Sequence, residues 1–356
     1  MNVFIKGFSM EKGVETVLPI LMLTGSNIVQ TALATSAGIR SVRSPPVAYS
    51  FGWVSYMMST MLAACKGQTL LPQPDCRSVL INAHTGYARD NKSWVLSRLL
   101  QDYSTRHRST AGLTVVFLHA THTSSNGLGA VNKTFVISIV LVLLQFVISY
   151  IPAVTQGSYA VFWLTLSGTL VALAIKLLPQ WAAEKWAARP AQPRKDVVCL
   201  TKGNGQNVVL VIVNEGHGFN LEDLAAGRVM NSSVTAPAIC LLTLLSVTHL
   251  LAVGALLSNF WYIFAVFALG TVQNMIIASA QFSPQELGLS LIEETVVAEK
   301  KVFATLQAAE DVEPYVGLSL LPVYFPGGLR DNETEWVETR KSALRELSRV
   351  KGREYV

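Results

Sequence analysis

Two long apolar runs joined by a short polar link constrain this chain more than any other feature. The runs cover residues 135–151 and 159–178, and neither contains an acidic or basic residue before Lys176. An α-helix rises about 1.5 Å per residue, so about 20 apolar residues cross the ~30 Å hydrocarbon core of a bilayer. Residues 134–178 therefore predict a transmembrane helical hairpin, spans three and four, and the other segments are placed relative to it.

Two further pairs of apolar runs extend the pattern. Residues 17–64 contain spans one and two, with apolar runs at 17–37 and 47–64, and residues 236–280 contain spans five and six. The composition agrees, since 51% of the residues are hydrophobic and only 14% are charged, against about 25% charged in globular proteins. The sequence thus predicts an α-helical multi-pass membrane protein with about six transmembrane helices and a small cytosolic α+β portion.

The polar segments lie between these pairs and after the last one, at residues 66–132, 179–233 and 281–356. Four short runs rich in β-branched residues predict strands, at residues 79–82, 113–118, 197–201 and 208–213. Isolated strands are marginal in water, so we expect these four to join one sheet although the hairpin separates them in sequence. Residues 93–103 predict a helix, and the tail is predicted as helical, with helices at 293–311 and 332–350.

Several motifs resemble those of a known family. They are FGWVSY at residues 51–56, NAHTGYARDNKSW at 82–94, LPQWAAEKW at 178–186, LTKGNG at 200–205 and LPVYFPGGLR at 321–330. In this order they resemble a family of uncharacterised fungal multi-pass integral membrane proteins, over residues 19–336. The resemblance implies a membrane protein with cytosolic segments and implies no activity.

No catalytic, cofactor-binding or metal site is predicted. The loop Gly203-Asn-Gly205 lacks the third glycine of a dinucleotide fingerprint and is followed by a strand, so it is interpreted as a hairpin turn. His119 and His122 have no neighbouring Cys or acid to complete a metal site. Glu293 and Glu294 are interpreted as part of a solvated helix face. The four cysteines show neither a disulfide framework nor paired zinc spacing.

Uncharged polar residues and one histidine interrupt the predicted spans and form a candidate intramembrane polar path. They are Asn27, Gln30, Gln145, His249, Gln273 and Asn274. Such groups need hydrogen-bond partners in lipid, so bonding between helices is one interpretation and a path for a solute is the other. The spans contain no Asp or Glu, which argues against transport driven through a buried carboxylate.

The leading functional hypothesis is a non-catalytic, membrane-anchored binding or scaffold module, and the alternative is a facilitative transporter or channel for a small solute. The expected partners are the lipid bilayer and a cytosolic protein. Nucleic acid is not expected, because the net charge of +5 is explained by basic residues flanking the helices.

Basic residues are concentrated in the N-terminal segment, the two large polar segments and the tail, which predicts that these segments and both termini are cytosolic. Four glycosylation sequons fall on that side, at Asn91, Asn132, Asn231 and Asn332.

Overall fold

The computed structural model describes residues 17–39, 44–107, 112–121, 133–229, 233–256 and 258–353. The chain divides into two compact units, each made of three separate segments. The helical unit comprises residues 1–73, 124–187 and 228–288, and the sheet unit comprises residues 74–123, 188–227 and 289–356. Among the sequence features named above, His122, Asn132 and Asn231 lie outside the described residues.

The described helices are, in chain order, α1 (Ser26–Ser36), α2 (Trp53–Cys65), α3 (Trp94–Arg106), α4 (Lys133–Gln156), α5 (Ala160–Lys176), α6 (Pro179–Lys185), α7 (Leu221–Ala225), α8 (Thr235–Gly254), α9 (Phe260–Ser279), α10 (Pro284–Leu287), α11 (Val302–Val312), α12 (Val316–Tyr324) and α13 (Asp331–Arg353). The described strands are β1 (Val79–Asn82), β2 (Ala88–Asp90), β3 (Thr114–Ala120), β4 (Asp196–Thr201), β5 (Val208–Asn214) and β6 (Leu291–Ala298).

Four helical stretches are long and apolar enough to cross a bilayer, within the part of the chain that the structure describes. They are Lys133–Gln156, Ala160–Lys185, Thr235–Gly254 and Phe260–Ser279. The second of these joins α5 and α6 through a turn at Leu177 and Leu178. These four match predicted spans three to six, so length and composition agree with a membrane protein.

Predicted spans one and two are not continuous helices. The first is interrupted after residue 21 and resumes as α1. In the second region, residues 44–50 form neither helix nor strand before α2 begins, and we refer to them as the extended segment. At about 1.5 Å per residue, the 11 residues of α1 and the 13 residues of α2 cover roughly 16 and 20 Å, less than a hydrocarbon core. Residues 17–64 therefore do not form two unbroken spans, and the structure does not show six.

The sheet unit contains a mixed sheet of six described strands in the order β2-β1-β4-β5-β3-β6. β3 pairs in parallel with β5, and the other neighbours are antiparallel. The prediction that four strands from two distant segments join one sheet is confirmed. The turn at Gly203 and Gly205 connects β4 to β5, and both glycines have positive φ, at 96° and 85°. These left-handed conformations are ones that glycine adopts without steric cost.

Helices cover both faces of this sheet. On one face, Val115, Phe117 and Val211 pack with Leu306 of α11 and Leu320 of α12. The neighbouring residues in each strand point to the opposite face, because side chains alternate along a strand. That face is buried as well, and α3 packs there against β5. The unit is therefore a three-layer sandwich of helix, sheet and helix.

The tail differs from the prediction of a purely helical segment. Residues 291–298 form β6, which pairs with β3, and helix α11 begins only at Val302. The sequence LIEETVVA contains two adjacent glutamates, which favour a helix, but three β-branched residues follow and β3 supplies an open edge. Tertiary pairing has therefore overridden local helix preference.

A buried carboxylate joins α11, α12 and α13. Glu310 of α11 is fully buried and accepts backbone hydrogen bonds from Tyr315 N at 2.9 Å and Leu318 N at 3.2 Å, at the start of α12. Arg340 of α13 completes the group, with its Nε 3.4 Å from Glu310 Oε1 and its Nη2 donating to the Glu310 carbonyl at 2.9 Å. Tyr315 has a φ of 72°, which is costly for a residue with a side chain. The bond to Glu310 helps to hold it there.

Candidate functional site in the helical unit

The candidate site is built around the extended segment, residues 44–50, which connects the region of α1 to α2. Four of its residues, Val47, Ala48, Tyr49 and Ser50, are at most 5% exposed. An extended backbone cannot satisfy its own N–H and C=O groups as a helix does, so its partners must come from elsewhere. The side chains that supply those partners include several of the residues predicted as a polar path.

Asn274 of α9 provides a strand-like partner for this segment. Its Oδ1 accepts from Ala48 N at 3.1 Å, and its Nδ2 donates to Ala48 O and to Ser50 Oγ, both at 2.9 Å. The preceding residue, Gln273, donates from Nε2 to Pro46 O at 2.8 Å. Both amides are fully buried. Two adjacent residues of one helix thus fix the position of the extended segment.

Two lysines donate hydrogen bonds to backbone carbonyl groups at the end of α1 and at the start of the extended segment. Lys176 Nζ donates to Ser44 O at 3.0 Å and to Pro45 O at 2.8 Å. Lys185, which is 1% exposed, donates to Ala37 O at 2.5 Å, at the C-terminal end of α1. A cation is stabilising at this end of a helix because the terminal carbonyls carry partial negative charge.

A third charged side chain fixes the chain that follows α2. Glu184 of α6 is 5% exposed and accepts from Leu70 N at 2.8 Å and Leu71 N at 3.1 Å. Gln180, one turn earlier, donates to the same carboxylate at 2.6 Å. Trp181, Glu184 and Lys185 are thus all buried inside the helical unit.

The two interruptions in the N-terminal helices touch each other. Gly25 and Gly52, which precede α1 and α2, both have positive φ, at 85° and 78°. Gly52 N donates to Leu21 O at 3.3 Å, and a Cβ at Gly52 would lie 2.3 Å from Thr24 O. Only glycine allows two backbones to approach this closely.

Two glycines in the long helices make room for Tyr49. A Cβ at Gly168 of α5 would lie 2.9 Å from the Tyr49 ring, and a Cβ at Gly270 of α9 would lie 2.6 Å from Tyr49 O. Small residues at such positions let segments pack at close distance in an apolar environment. Gln145 of α4 lies beside Gly270 and donates to Val266 O at 2.8 Å, joining α4 to α9.

The structure brings four of the six candidate path residues to this region and leaves two apart. Gln145, His249, Gln273 and Asn274 are buried, and the His249 ring lies 4.6 Å from the Tyr49 ring between centroids. Asn27 is exposed and Gln30 is half-buried, and neither makes a hydrogen bond to another described residue. Asn27 and Gln30 therefore do not share the fully buried environment of the other four residues.

The buried polar atoms that have no hydrogen-bond partner among the described residues include His249 Nε2, Trp53 Nε1 and Gln273 Oε1. The other ring nitrogen of His249, Nδ1, lies 3.3 Å from Ser167 Oγ. Each of the three atoms could bond to a water molecule or to a small uncharged polar solute.

The sequence did not reveal the roles of Lys176, Lys185 and Glu184. The partners of Lys176 and Lys185 are backbone carbonyls distant in sequence, and a carbonyl has no residue type that a pattern could detect. The only available signal was the position of charged residues directly after an apolar run.

In the sheet unit, His119, Glu293 and Glu294 have structural contacts. His119 lies on β3 with its Nε2 2.5 Å from Glu294 Oε2 on β6, and His107 Nε2 lies 3.8 Å from Glu293 Oε2. Both glutamates are therefore on a strand rather than on a helix. Within the described ranges, no group of three or more His, Cys, Asp and Glu side chains is arranged to hold a metal ion.

Comparison with protein-family models, curated proteins and solved structures gives no match. The resemblance to a fungal membrane-protein family therefore stays a prediction.

Replacing Asn274 tests its role as a partner for the extended segment. Asn274→Leu leaves the N–H and C=O of Ala48 buried without partners, and each unpaired group costs roughly 1–3 kcal/mol. We expect a lower thermal unfolding midpoint of the purified full chain and faster hydrogen exchange of the Ala48 amide. Asn27→Leu is the matched control, because Asn27 is exposed and should leave both measurements unchanged. Equal effects of the two variants would contradict the assignment.

Replacing Gly52 tests the contact between the two interruptions. Gly52→Ala brings a Cβ against Thr24 O and also places alanine at a φ of 78°. Gly157→Ala is the matched control, since Gly157 has a φ of 69° with nothing within 4 Å of its added Cβ. Both variants carry the conformational cost of about 1–2 kcal/mol, but only Gly52→Ala adds the overlap. We expect a clearly larger loss of folded yield and thermal stability for Gly52→Ala, and similar losses would show that the two backbones are not in contact.

Proposed function

We propose that this chain is an integral membrane protein whose sheet unit lies in the cytosol and acts as a non-catalytic binding or scaffold module. The observation that carries the proposal is the use of the polar side chains in the apolar helices. Asn274, Gln273, Gln145 and Lys176 all bond to backbone groups of the helical unit. Side chains committed in this way support a role in building the anchor rather than in passing a solute.

The sheet supports the proposed membrane topology. β3 and β4 belong to one sheet, as do β5 and β6, so all of these segments must lie on one side of a bilayer. The chain between β3 and β4 contains α4 to α6, and the chain between β5 and β6 contains α8 and α9. Each of these two connecting segments must therefore cross the bilayer an even number of times. Two crossings in each agree with the four long helical stretches.

Residues 17–64 enter this proposal in a modified form. We infer that they add a fifth and a sixth crossing that are discontinuous, with interruptions next to Gly25 and Gly52. Irregular backbone is tolerated at membrane depth where protein covers it, and residues 47–50 are covered in this way. An additional pair of crossings keeps residues 66–73 on the same side as the N-terminus.

The distribution of charges supports the cytosolic orientation. The link between α4 and α5 and the link between α8 and α9 carry no charged residue, whereas the sheet unit contains most of the Lys and Arg. Excess basic residues mark the cytosolic side of a membrane protein. Both termini are on the sheet side in this arrangement.

Cysteine labelling tests the orientation. The test protein carries Cys65→Ser, Cys76→Ser and Cys240→Ser and retains Cys199, because burial raises the pKa of the Cys199 thiol to about 12 and leaves almost no reactive thiolate at neutral pH. A new cysteine is then placed either at the exposed Glu338 of α13 or at the exposed Gln156 at the end of α4. In intact cells, we expect a membrane-impermeant maleimide to label Gln156→Cys and not Glu338→Cys.

After permeabilisation both positions should react. Labelling of Glu338→Cys in intact cells would invert the topology, and labelling of both positions would contradict the pairing of crossings. Glycosylation gives a second readout at Asn332, which is exposed on α13. Asn91 is unsuitable for that purpose, because its buried Nδ2 donates to Ser78 Oγ at 3.0 Å.

The turn between β1 and β2 is the most suitable described surface for a cytosolic protein partner. Residues 84–88 are all exposed, and Tyr87 is 53% exposed. The Arg89 guanidinium lies 5.6 Å from the centre of the Tyr87 ring, and the His84 ring lies 5.2 Å from that of Tyr315. Tyrosine and arginine are enriched among the residues that contribute most to protein interfaces.

Site-specific photocrosslinking tests the binding proposal. A photoreactive phenylalanine analogue replaces Tyr87 in one version of the full chain and Val147 of α4, which is 62% exposed, in the other. In native membranes we expect discrete protein adducts at position 87 and only lipid adducts at position 147. The same set of protein adducts at both positions, or none at position 87, would contradict the proposal.

A facilitative transporter for a small uncharged solute is the second candidate. It is favoured by the unpartnered atoms His249 Nε2, Trp53 Nε1 and Gln273 Oε1 and by the interruptions at Gly25 and Gly52, since discontinuous helices form the binding sites of many transporters. Glycerol permeation into liposomes that contain the full chain separates the two candidates. A rate equal to that of protein-free liposomes favours the binding module, and a protein-dependent increase favours the transporter.

A further inference from the structure

The outer edge of β6, over residues 292–298, has no strand partner within the described part of the chain. Among the described residues β6 pairs only with β3, so about half of its backbone N–H and C=O groups face away from the sheet. Ile292 and Val296 of this strand are 52% and 43% exposed. An exposed edge with apolar side chains is a template for pairing with another strand.

The charges along this edge have opposite signs at its two ends. Glu293 and Glu294 lie near the start of β6, and Lys300 and Lys301 follow its end. All four are exposed. His107 and His119 lie beside Glu293 and Glu294, at 3.8 Å and 2.5 Å, and hold the acidic side chains at this end. Glu299 lies between the end of β6 and the two lysines, so this end carries a net charge of +1 and the other end carries two acidic side chains.

We propose that β6 pairs antiparallel with β6 of a second copy of this chain. A two-fold axis at Val297 places Glu294 opposite Lys300 and Glu293 opposite Lys301 of the other copy. The same operation places Val296 opposite Ala298. Opposite charges across an antiparallel pair are favourable, and like charges are unfavourable.

The charge pattern selects both the direction and the partner. A parallel arrangement of two copies in register would place glutamates beside glutamates and lysines beside lysines. An antiparallel arrangement around a two-fold axis makes every contact twice, as in the isologous interfaces of most symmetric dimers. A strand from an unrelated protein would need acidic and basic residues at the same two ends, whereas a second copy of this chain necessarily has them.

The main-chain pairing ends where the backbone groups are already used. Glu299 N donates to Thr305 Oγ1 at 3.1 Å, so the pairing around the axis at Val297 covers residues 296–298. At the other end of this stretch, the pairing of β3 with β6 is irregular between Phe117 and Leu118. The lysines of one copy and the glutamates of the other therefore meet outside these three central residues.

Disulfide trapping between two differently tagged copies tests the register. Both copies carry the three serine replacements described above, with Val296→Cys in one and Ala298→Cys in the other. In native membranes under a mild oxidant, we expect a crosslinked dimer that contains both tags, because positions 296 and 298 face each other. Val296→Cys combined with Ile292→Cys is the off-register control and should give no such dimer.

Charge exchange tests the pairing itself and is read by the same crosslink. Glu293→Lys with Glu294→Lys in both copies should lower the trapped dimer about tenfold, and Lys300→Glu with Lys301→Glu in both should do the same. A copy with the first pair of changes combined with a copy with the second pair should restore the dimer, since each acidic residue then faces a basic one. All four positions are exposed, so folding is retained in these variants.

Absence of the 296–298 crosslink, a crosslink equal to that of the off-register control, or failure of the mixed charge pair to recover would each overturn the proposal. Adducts at β6 with a protein other than this chain, in place of the tagged dimer, would assign the edge to a different partner.

Discussion

The hydrogen bonds of Asn274 to both backbone groups of Ala48 are the interaction on which the helical unit depends. An extended segment among apolar helices has no internal partners for its peptide groups, and unpaired groups are costly where water is excluded. Asn274 and Gln273, which are adjacent on α9, supply hydrogen bonds to the backbone groups of Ala48 and Pro46 and so avoid that cost. Once the segment is fixed, Gly168 and Gly270 allow α5 and α9 to pack directly against Tyr49. The polar residues of the long helices therefore determine the shape of the unit.

The order of the sheet imposes a second constraint. Three separate parts of the chain contribute strands, and the long apolar helices lie between them in sequence. With the four long helices crossing a bilayer as proposed, the sheet can form only if each pair of them returns the chain to the side from which it left. This requirement is independent of any count of charges, and it agrees with the topology that the basic residues suggest.

The sequence was sufficient where the signal is local. β1, β3, β4 and β5 were predictable because β-branched residues are concentrated between turn signals, and α4, α5, α8 and α9 because apolar runs of about 20 residues have few other uses. β6 was missed because Glu293 and Glu294 favour a helix and only the open edge of β3 decides otherwise. The first two spans were predicted as continuous because average hydropathy cannot detect the positive φ of Gly25 and Gly52.

The candidate site was predictable in its residues but not in its geometry. Asn274, Gln273 and His249 are polar residues within apolar runs, so the sequence alone identified them as candidates. Their hydrogen-bond partners could not be predicted, since the backbone carbonyl of Pro46 or Ala48 is the same group in every residue. The separation of Asn27 and Gln30 from the other four depends on where α1 begins, which Gly25 sets.

The donors around the extended segment match what the local backbone can offer. Pro45 and Pro46 lack an N–H, so this stretch presents carbonyl acceptors and few donors. It is bonded by Lys176, which can only donate, and by the amide nitrogen of Gln273. Ala48 presents both an N–H and a C=O, and there the partner is Asn274, whose amide accepts and donates at once. The pairing of Asn274 with Ala48 therefore follows from the N–H that Ala48 has and that the two prolines lack.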